Sequence, residues 1–264
     1  MEKEPSHSSI AYEKSDQVGF ITLNRPDKFN SFNREMALEL QSVLDQCEED
    51  PEVRAIYITG AGKAFCAGQD ISELTAEDGP EIDDILSQHF NPIISRLRTI
   101  EKPIVCAVNG VAAGAGANIA LACDITLATA SASFIQAFSK IGLIPDSGGT
   151  FFLPRILGMQ KATALMMLGD KVDAPEAEKL GMIYKSVPDS KFEKTAKEIA
   201  YQLAGMPTKG LGLTKRALNR SLHNDLEHQL AIEEQLQSAA GQTDDYQEGI
   251  QAFLEKRKPN FKGS

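Results

Sequence analysis

The chain reads as an α/β protein with an α-helical C-terminal part. Three observations carry that prediction. Short apolar runs alternate with helix-periodic stretches as far as about residue 128, the pattern of strands packed against helices. Glycine-rich segments fall where the apolar runs end. From Gly148 onward only helical periodicity remains.

Residues 1–14 are polar and are expected to form a leader before a core of residues 15–200. Residues 201–264 are expected to form a separate helical region. Val18–Leu23 alternates like a strand and stops at Asn24-Arg25-Pro26, because proline cannot donate to a sheet ladder. Ser31 is placed to cap a helix through Cys47, with Glu35 in its first turn. Met36, Leu40, Val43, Leu44 and Cys47 supply the apolar face. Ala55–Thr59 is a second strand, cut by Gly60-Ala61-Gly62. The acidic stretch 72–84 contains Gly79-Pro80 and is expected to be a mobile loop, with a helix following to about Thr99. Ile104–Val108 is a buried strand, Asn109 opens a glycine-rich turn into a helix, and Ile125–Ala128 is a further strand. Helices are predicted at about 148–156, 159–168, 174–181, 191–205, 208–220, 225–240 and 245–257.

At 264 residues the chain can bury roughly three quarters of its unfolded surface without disulfides or metals. Aromatic residues make up only 6 % and Trp is absent, so Ala, Ile, Leu and Val must fill the core. The net charge of −10 argues against a nucleic-acid partner, which would need a basic face. Cys47, Cys66, Cys106 and Cys123 form no C-x-x-C pair, and Met1–Ser6 lacks the apolar run of a signal peptide. Reduced thiols and a cytoplasmic location are expected. The 20 uncharged residues from Ile104 to Cys123 include Asn109, Asn118 and several glycines. A strand and a buried helix explain them better than a membrane span, and no membrane partner is expected.

Two segments carry chemistry. Phe65-Cys66-Ala67-Gly68-Gln69-Asp70 and Asn109-Gly110-Val111-Ala112-Ala113-Gly114-Ala115-Gly116-Ala117-Asn118 both put small residues where a strand meets a helix. Backbone N–H groups there are free to point at a ligand oxygen, and two converging on one carbonyl make an oxyanion hole. Tight strand–helix packing explains the same glycines. Cys66 has no histidine near it in sequence, so a small buried residue is the simpler reading than a nucleophile. Gly114-Ala115-Gly116 begins a dinucleotide fingerprint that fails at Ile119. Asp146-Ser147-Gly148-Gly149 is similar to a serine-protease nucleophile segment, but the chain is not β-rich. His7, His89, His223 and His228 are all expected at the surface. His223 and His228 lie five apart, off one helical face, so no metal site is expected.

Several motifs together resemble the crotonase (enoyl-CoA hydratase/isomerase) superfamily in order and spacing. They are Asn24-Arg25-Pro26, Asn30-Ser31-Phe32, the Phe65–Asp70 segment, Lys102-Pro103, Ala107-Val108-Asn109-Gly110 and Cys123-Asp124. Gly142-Leu143-Ile144-Pro145 with Gly148-Gly149, and Glu178-Lys179-Leu180-Gly181, complete the set. The match runs from about residue 10 to Lys262. The resemblance implies a spiral of ββα units with C-terminal helices that build a homotrimer, often paired as a dimer of trimers (a hexamer). It implies an acyl-CoA substrate and no separate cofactor, CoA being part of the substrate. It places the oxyanion-hole donors at the N–H groups of Gln69 and Ala115. It puts CoA-binding groups at Arg25, Lys28, Ala67, Asp70, Ile71 and Lys256, with Asn118 and Phe138 in the acyl pocket. Cations at Arg25, Lys28 and Lys256 would hold the CoA phosphates against the acidic global field.

The chain departs from the hydratases of that superfamily. Their two glutamates match Asn118 and Phe138 here, so water addition lacks its acid and its base. Instead Asp146 stands where hydratases carry glycine, as in members that isomerise aryl and unsaturated acyl-CoA compounds. An Asp before Ser-Gly-Gly is also a good helix N-cap. Under the resemblance Asp146 is the catalytic proton carrier, its pKa raised by Phe138, Ile141, Leu143 and Ile144. The pattern is most similar to isomerases of ring-1,2-epoxyphenylacetyl-CoA in phenylacetate catabolism. The alternatives are a Δ3,Δ2-enoyl-CoA isomerase or general hydratase/isomerase of fatty-acid oxidation, and a non-catalytic CoA-binding subunit.

Overall fold

The computed structural model describes residues 8–264; the first seven residues of the expected leader lie outside them. Strands β1 (Ile10–Ser15) and β2 (Val18–Leu23) pair antiparallel across a two-residue turn. Asp16 and Gln17 both sit at positive φ there, as tight hairpins require. β1 corrects the leader boundary: Ile10 is buried in the core, and Tyr12 packs against it. The alternation of Ile10 and Tyr12 was too short, among charged neighbours, to stand out.

Strands β3 (Ala55–Gly60), β5 (Ile104–Val108), β7 (Ile125–Thr129) and β10 (Lys185–Val187) continue that sheet in parallel, in the order β1-β2-β3-β5-β7-β10. A smaller sheet runs β4 (Ala64–Cys66), β6 (Val111–Ala113), β8 (Ser133–Ile135), β9 (Lys171–Asp173). The chain alternates between the two, from β3 to β4, β5 to β6 and β7 to β8, with helices between successive pairs. This is the spiral of ββα units.

The alternation of side chains across β3 and β5 builds two apolar layers. Ile56, Ile58, Ile104, Cys106 and Val108 face the main core between the sheets and helices. Ala55, Tyr57, Val105 and Ala107 face α9 (Asp189–Ala204), which buries Phe192, Ala196 and Ala200 against them. Both faces are covered, so these strands read as continuous apolar runs. Gly110 marks the closest approach, because a Cβ there would stand 2.1 Å from the carbonyl oxygen of Lys63.

Helix α1 (Arg34–Glu49) is capped by Asn33, whose side chain accepts from Met36 N at 3.1 Å. The expected cap, Ser31, is instead buried, and its carbonyl accepts from Arg25. The stretch expected as a loop carries a short helix α2 (Ile71–Leu74) and the start of another, α3 (Ile82–Asp84). A π-helical segment, Ile85–Phe90, joins α3 to α4 (Asn91–Thr99). Then come α5 (Ala115–Ala122), α6 (Gly149–Leu157), α7 (Met159–Leu168) and α8 (Ala174–Lys179). After α9 follow α10 (Thr208–Ser221), α11 (Leu226–Ala240) and α12 (Asp244–Glu255). Among the described residues no helix is long and apolar enough to cross a membrane.

Candidate active site

The small sheet sets the site, because β4 and β6 are parallel neighbours and both glycine-rich turns leave from their C-terminal ends. The first turn is stitched to residues 29–32: Ala67 N donates to Phe29 O, Phe32 N to Gly68 O, and Asp70 N to Phe32 O. Gln69 N is skipped by this ladder. Asn30, itself at φ 55°, donates to the carbonyls of Ala61 and Ala64 and accepts from Arg25 N. Asn109 does the same work on the other side, accepting from Gly60 N and donating to Gly62 O.

The second turn ends at Gly114 (φ 53°), and Ala115 opens the fully buried helix α5. A Cβ on Gly68 would lie 3.0 Å from Ala113 O and 3.5 Å from Ala115 N, so only glycine lets the turns meet. Among the described residues neither Gln69 N nor Ala115 N donates a hydrogen bond within the chain. Two adjacent, unspent backbone donors beside a helix N-terminus can receive a carbonyl oxygen that gains negative charge. Phe138, buried, lies against the same turn, 3.7 Å from where a Gly114 Cβ would stand.

Asp146 lies beyond this helix. Its carbonyl accepts from Asn118 Nδ2 at 2.9 Å and from Gly149 N at 2.8 Å. The next two residues, Ser147 and Gly148, both have positive φ, which turns the chain sharply into α6. The Asp146 carboxylate caps no helix N–H: its only intramolecular partner among the described residues is the Ser147 hydroxyl, at 2.8 Å. Burial pushes this carboxyl above its ordinary value, and the Ser147 bond offsets only part of the rise. The apolar surround differs from expectation, since Ile144 is 81 % exposed and Ile141 59 %. Of the four apolar residues expected around it, Phe138 alone is buried.

A sequence model of the enoyl-CoA hydratase/isomerase family matches residues 13–264. The chain belongs to that family. It is 47 % identical over 246 residues to the 1,2-epoxyphenylacetyl-CoA isomerase of Escherichia coli, covering 92 % of this chain and 94 % of the relative. It is 37 % identical to the short-chain-enoyl-CoA hydratase of Clostridium acetobutylicum, covering 95 % and 96 %. The crystal structure of an enoyl-CoA hydratase from Bacillus anthracis superposes with a TM-score of 0.90 at 34 % identity, covering 97 % and 100 %. The protein is thus an acyl-CoA hydratase/isomerase with the crotonase fold.

The geometry redistributes roles among the residues this family membership brought forward. Arg25 is turned inward: it pairs with Asp70 at 2.9 Å and donates to Ser31 O. Asp70 also caps α2 through Ser72 N at 3.1 Å. Both therefore brace the first glycine-rich turn, and Arg25, expected to meet a CoA phosphate, spends both of its terminal nitrogens on that bracing. Lys28, Ala67 and Ile71 are exposed around the same turn. Lys256 is exposed at the end of α12 and makes no hydrogen bond or ion pair to either turn among the described residues. Asn118, expected in the acyl pocket, is fully buried and hydrogen-bonded through both ends of its amide.

Cys66 is inert in this hydratase/isomerase, because burial pushes its thiol up to about 12. His89 corrects the expectation of four surface histidines. It is fully buried with both ring nitrogens unpartnered among the described residues, and burial holds it below its ordinary pKa. His223 and His228 are exposed, and His7 lies outside the described residues. Sequence reasoning also missed Gln136, which donates to Asn118 Oδ1 at 2.7 Å. A glutamine at a strand end carries no pattern that would reveal this. A cavity of about 630 Å³ between the large sheet and α9 contains none of the candidate residues. Its Asp189 and Lys197 are already satisfied by Thr129 and Glu193.

Proposed function

We propose that this hydratase/isomerase works as an isomerase, with ring-1,2-epoxyphenylacetyl-CoA as substrate and the oxepin-CoA isomer as product, in phenylacetate catabolism. The observation that carries the reading is Asp146: a half-buried carboxylate with a raised pKa, tied by its backbone to helix α5 and free of any capping duty among the described residues. The thioester carbonyl rests between Gln69 N–H and Ala115 N–H, which stabilise the enolate oxygen. The ring C–C bond shared with the epoxide opens, its electron pair entering the new double bonds of the seven-membered oxepin. Asp146 takes the α-proton and returns it to a ring carbon at the far end of the conjugated system, so the substrate gains and loses no atoms. A base whose pKa burial raises above the ordinary carboxylate value suits such a two-way transfer. The activity named for the Escherichia coli relative supports the aryl substrate. The proposed reaction calls for no separate cofactor, because CoA is part of the substrate, and takes the cytoplasm as its site.

A second reading, a Δ3,Δ2-enoyl-CoA isomerase, uses the same carboxylate and the same donors. The two separate by kcat/KM on epoxyphenylacetyl-CoA generated in situ against a 3-enoyl-CoA. A preference for the epoxide supports the first; a preference for the 3-enoyl thioester overturns it for the second.

The C-terminal region supports a homotrimer or dimer of trimers. Leu226, Leu230, Phe253 and Leu254 are exposed by 54–82 %, an apolar surface that a second subunit would cover. In such an assembly Lys28 and Lys256 supply cations for the CoA phosphates. Light scattering at micromolar concentration should give the mass of three or six chains, and a monomer would overturn the assembly.

A further inference from the structure

Asn118 is an amide locked between two partners, and its orientation is forced. Gln136 Nε2 donates to its Oδ1 at 2.7 Å, so its Nδ2 is the end facing the Asp146 carbonyl, 2.9 Å away. A carbonyl only accepts, and a carboxylate at position 118 would set oxygen against oxygen. Both amides are buried, Asn118 by 100 % and Gln136 by 97 %. The fit is tight on the third side as well, because a Cβ on Gly149 would come within 2.4 Å of Asn118 Nδ2. The Asp146 turn therefore has nowhere to shift towards α5.

Asn118 also belongs to the first turn of the oxyanion helix, with its own N–H donating to Gly114 O at 3.2 Å. It stands three residues after Ala115, about 4.5 Å along the helix axis. One rigid helical turn thus carries both the enolate-facing donor and the fastener of the Asp146 backbone. The Asp146 carboxylate has no fastener of its own beyond Ser147, so its distance from the oxyanion hole is set through its backbone.

We infer that Asn118, oriented by Gln136, is a positioning residue that fixes Asp146 relative to the oxyanion hole. This inference rests on the assignment of Asp146 as the proton carrier. The amide at 118 and the carboxylate at 146 form a matched pair: the amide holds the turn and adds no charge that would compete with the base. A misplacement of about 1 Å costs on the order of 10²-fold in rate, which sets the expected effect.

The test uses the full-length protein and trans-3-hexenoyl-CoA, with the conjugated thioester followed in the ultraviolet. Asn118→Ala should lower kcat by on the order of 10²-fold and change KM by less than about threefold. Gln136→Met, which leaves Asn118 without its orienting donor, should lower kcat by about tenfold with KM again little changed. The decisive measurement is the double variant Asn118→Ala/Asp146→Asn. A residue acting through the carboxylate adds no further loss once that carboxylate is gone, so the double variant should match Asp146→Asn alone. Losses that multiply would mark Asn118 as a general structural support and overturn the inference. So would a parent-like kcat in Asn118→Ala and Gln136→Met while Asp146→Asn is slow. A parent-like Asp146→Asn would instead sink the assignment of Asp146 and this inference with it. Should Asn118→Ala fail to fold by circular dichroism, the Gln136→Met variant, alone and combined with Asp146→Asn, decides by the same criteria.

Discussion

Two aspartates of the candidate site, Asp70 and Asp146, meet opposite fates. Both stand shortly ahead of a helix, Asp70 buried and Asp146 half-buried. Burial alone would raise each carboxyl. At Asp70 the Ser72 hydroxyl, Arg25 and Ser72 N–H reverse that effect and hold the carboxyl below its ordinary value. At Asp146 a single serine hydroxyl answers, and the value stays raised. Partners, not burial, decide the outcome. A carboxylate surrounded by donors is a fastener; one left nearly alone keeps its oxygens available, as the base proposed above requires.

The comparison breaks most sharply on rate. Asp146→Asn should cut isomerisation of a 3-enoyl-CoA by about 10²-fold or more, with ligand affinity little changed, because the backbone donors remain. A near-parental rate in a folded variant would falsify the base assignment. Removing Asp70 should leave chemistry far less affected than stability.

A lone base also cannot serve as both acid and base for water addition. Asn118 and Phe138 bring no carboxylate, so hydration of crotonyl-CoA should run below about 1 s⁻¹. Turnover at many per second would show that Asp146 activates water unaided.

Asp70→Ala strips the cap of α2 and leaves Arg25, largely buried, without its counter-charge. Chemical denaturation should show a loss of about 3 kcal/mol. Because the Asp70 carboxyl is depressed in the fold, its contribution is present above its unfolded value near 3.8. It disappears as pH falls through the lower folded value. The difference between parent and variant should therefore shrink only in that acidic range; a difference unchanged down to the lowest pH at which both fold would argue against the pairing.

The smallest effect has the opposite sign. The Asp146 carboxyl is raised, so its favourable contribution belongs to the protonated form and is lost as pH rises through its folded value. Asp146→Asn should melt slightly higher than the parent at pH 8, and the gain should vanish as pH falls well below the unfolded value of 3.8, where the parent side chain is protonated in both states. A lower melting temperature at pH 8 would mean that the ionised carboxylate has partners beyond Ser147.

What the sequence determined by itself is whatever depends on period and on local backbone demand. The seven C-terminal helices are legible in their 3.6-residue apolar spacing and appear within two residues of expectation at nearly every end. Strand β2 is legible by its alternation, and β3, β5 and β7 because they are short, nearly continuous apolar runs. The short strands of the small sheet are not, since three residues contain no period, and they become strands only by pairing with one another once the fold sets them side by side. The glycine-rich turns were recognisable as donors of free N–H groups, since glycine at Gly68 and Gly114 answers a positive φ.

Tertiary structure alone decided who pairs with whom. Arg25 and Asp70 lie 45 positions apart, and Asn118 and Asp146 lie 28 apart. Nothing local distinguishes an arginine that will fold inward from one that will meet a phosphate, or a buried asparagine that lines a pocket from one that fastens a turn. The same holds for His89, which its helical setting placed at the surface and the π-helical stretch turned fully inside. Hydrogen bonds and desolvation act through space over a few ångströms, so they become definite only when the two glycine-rich turns and the Asp146 loop are brought together.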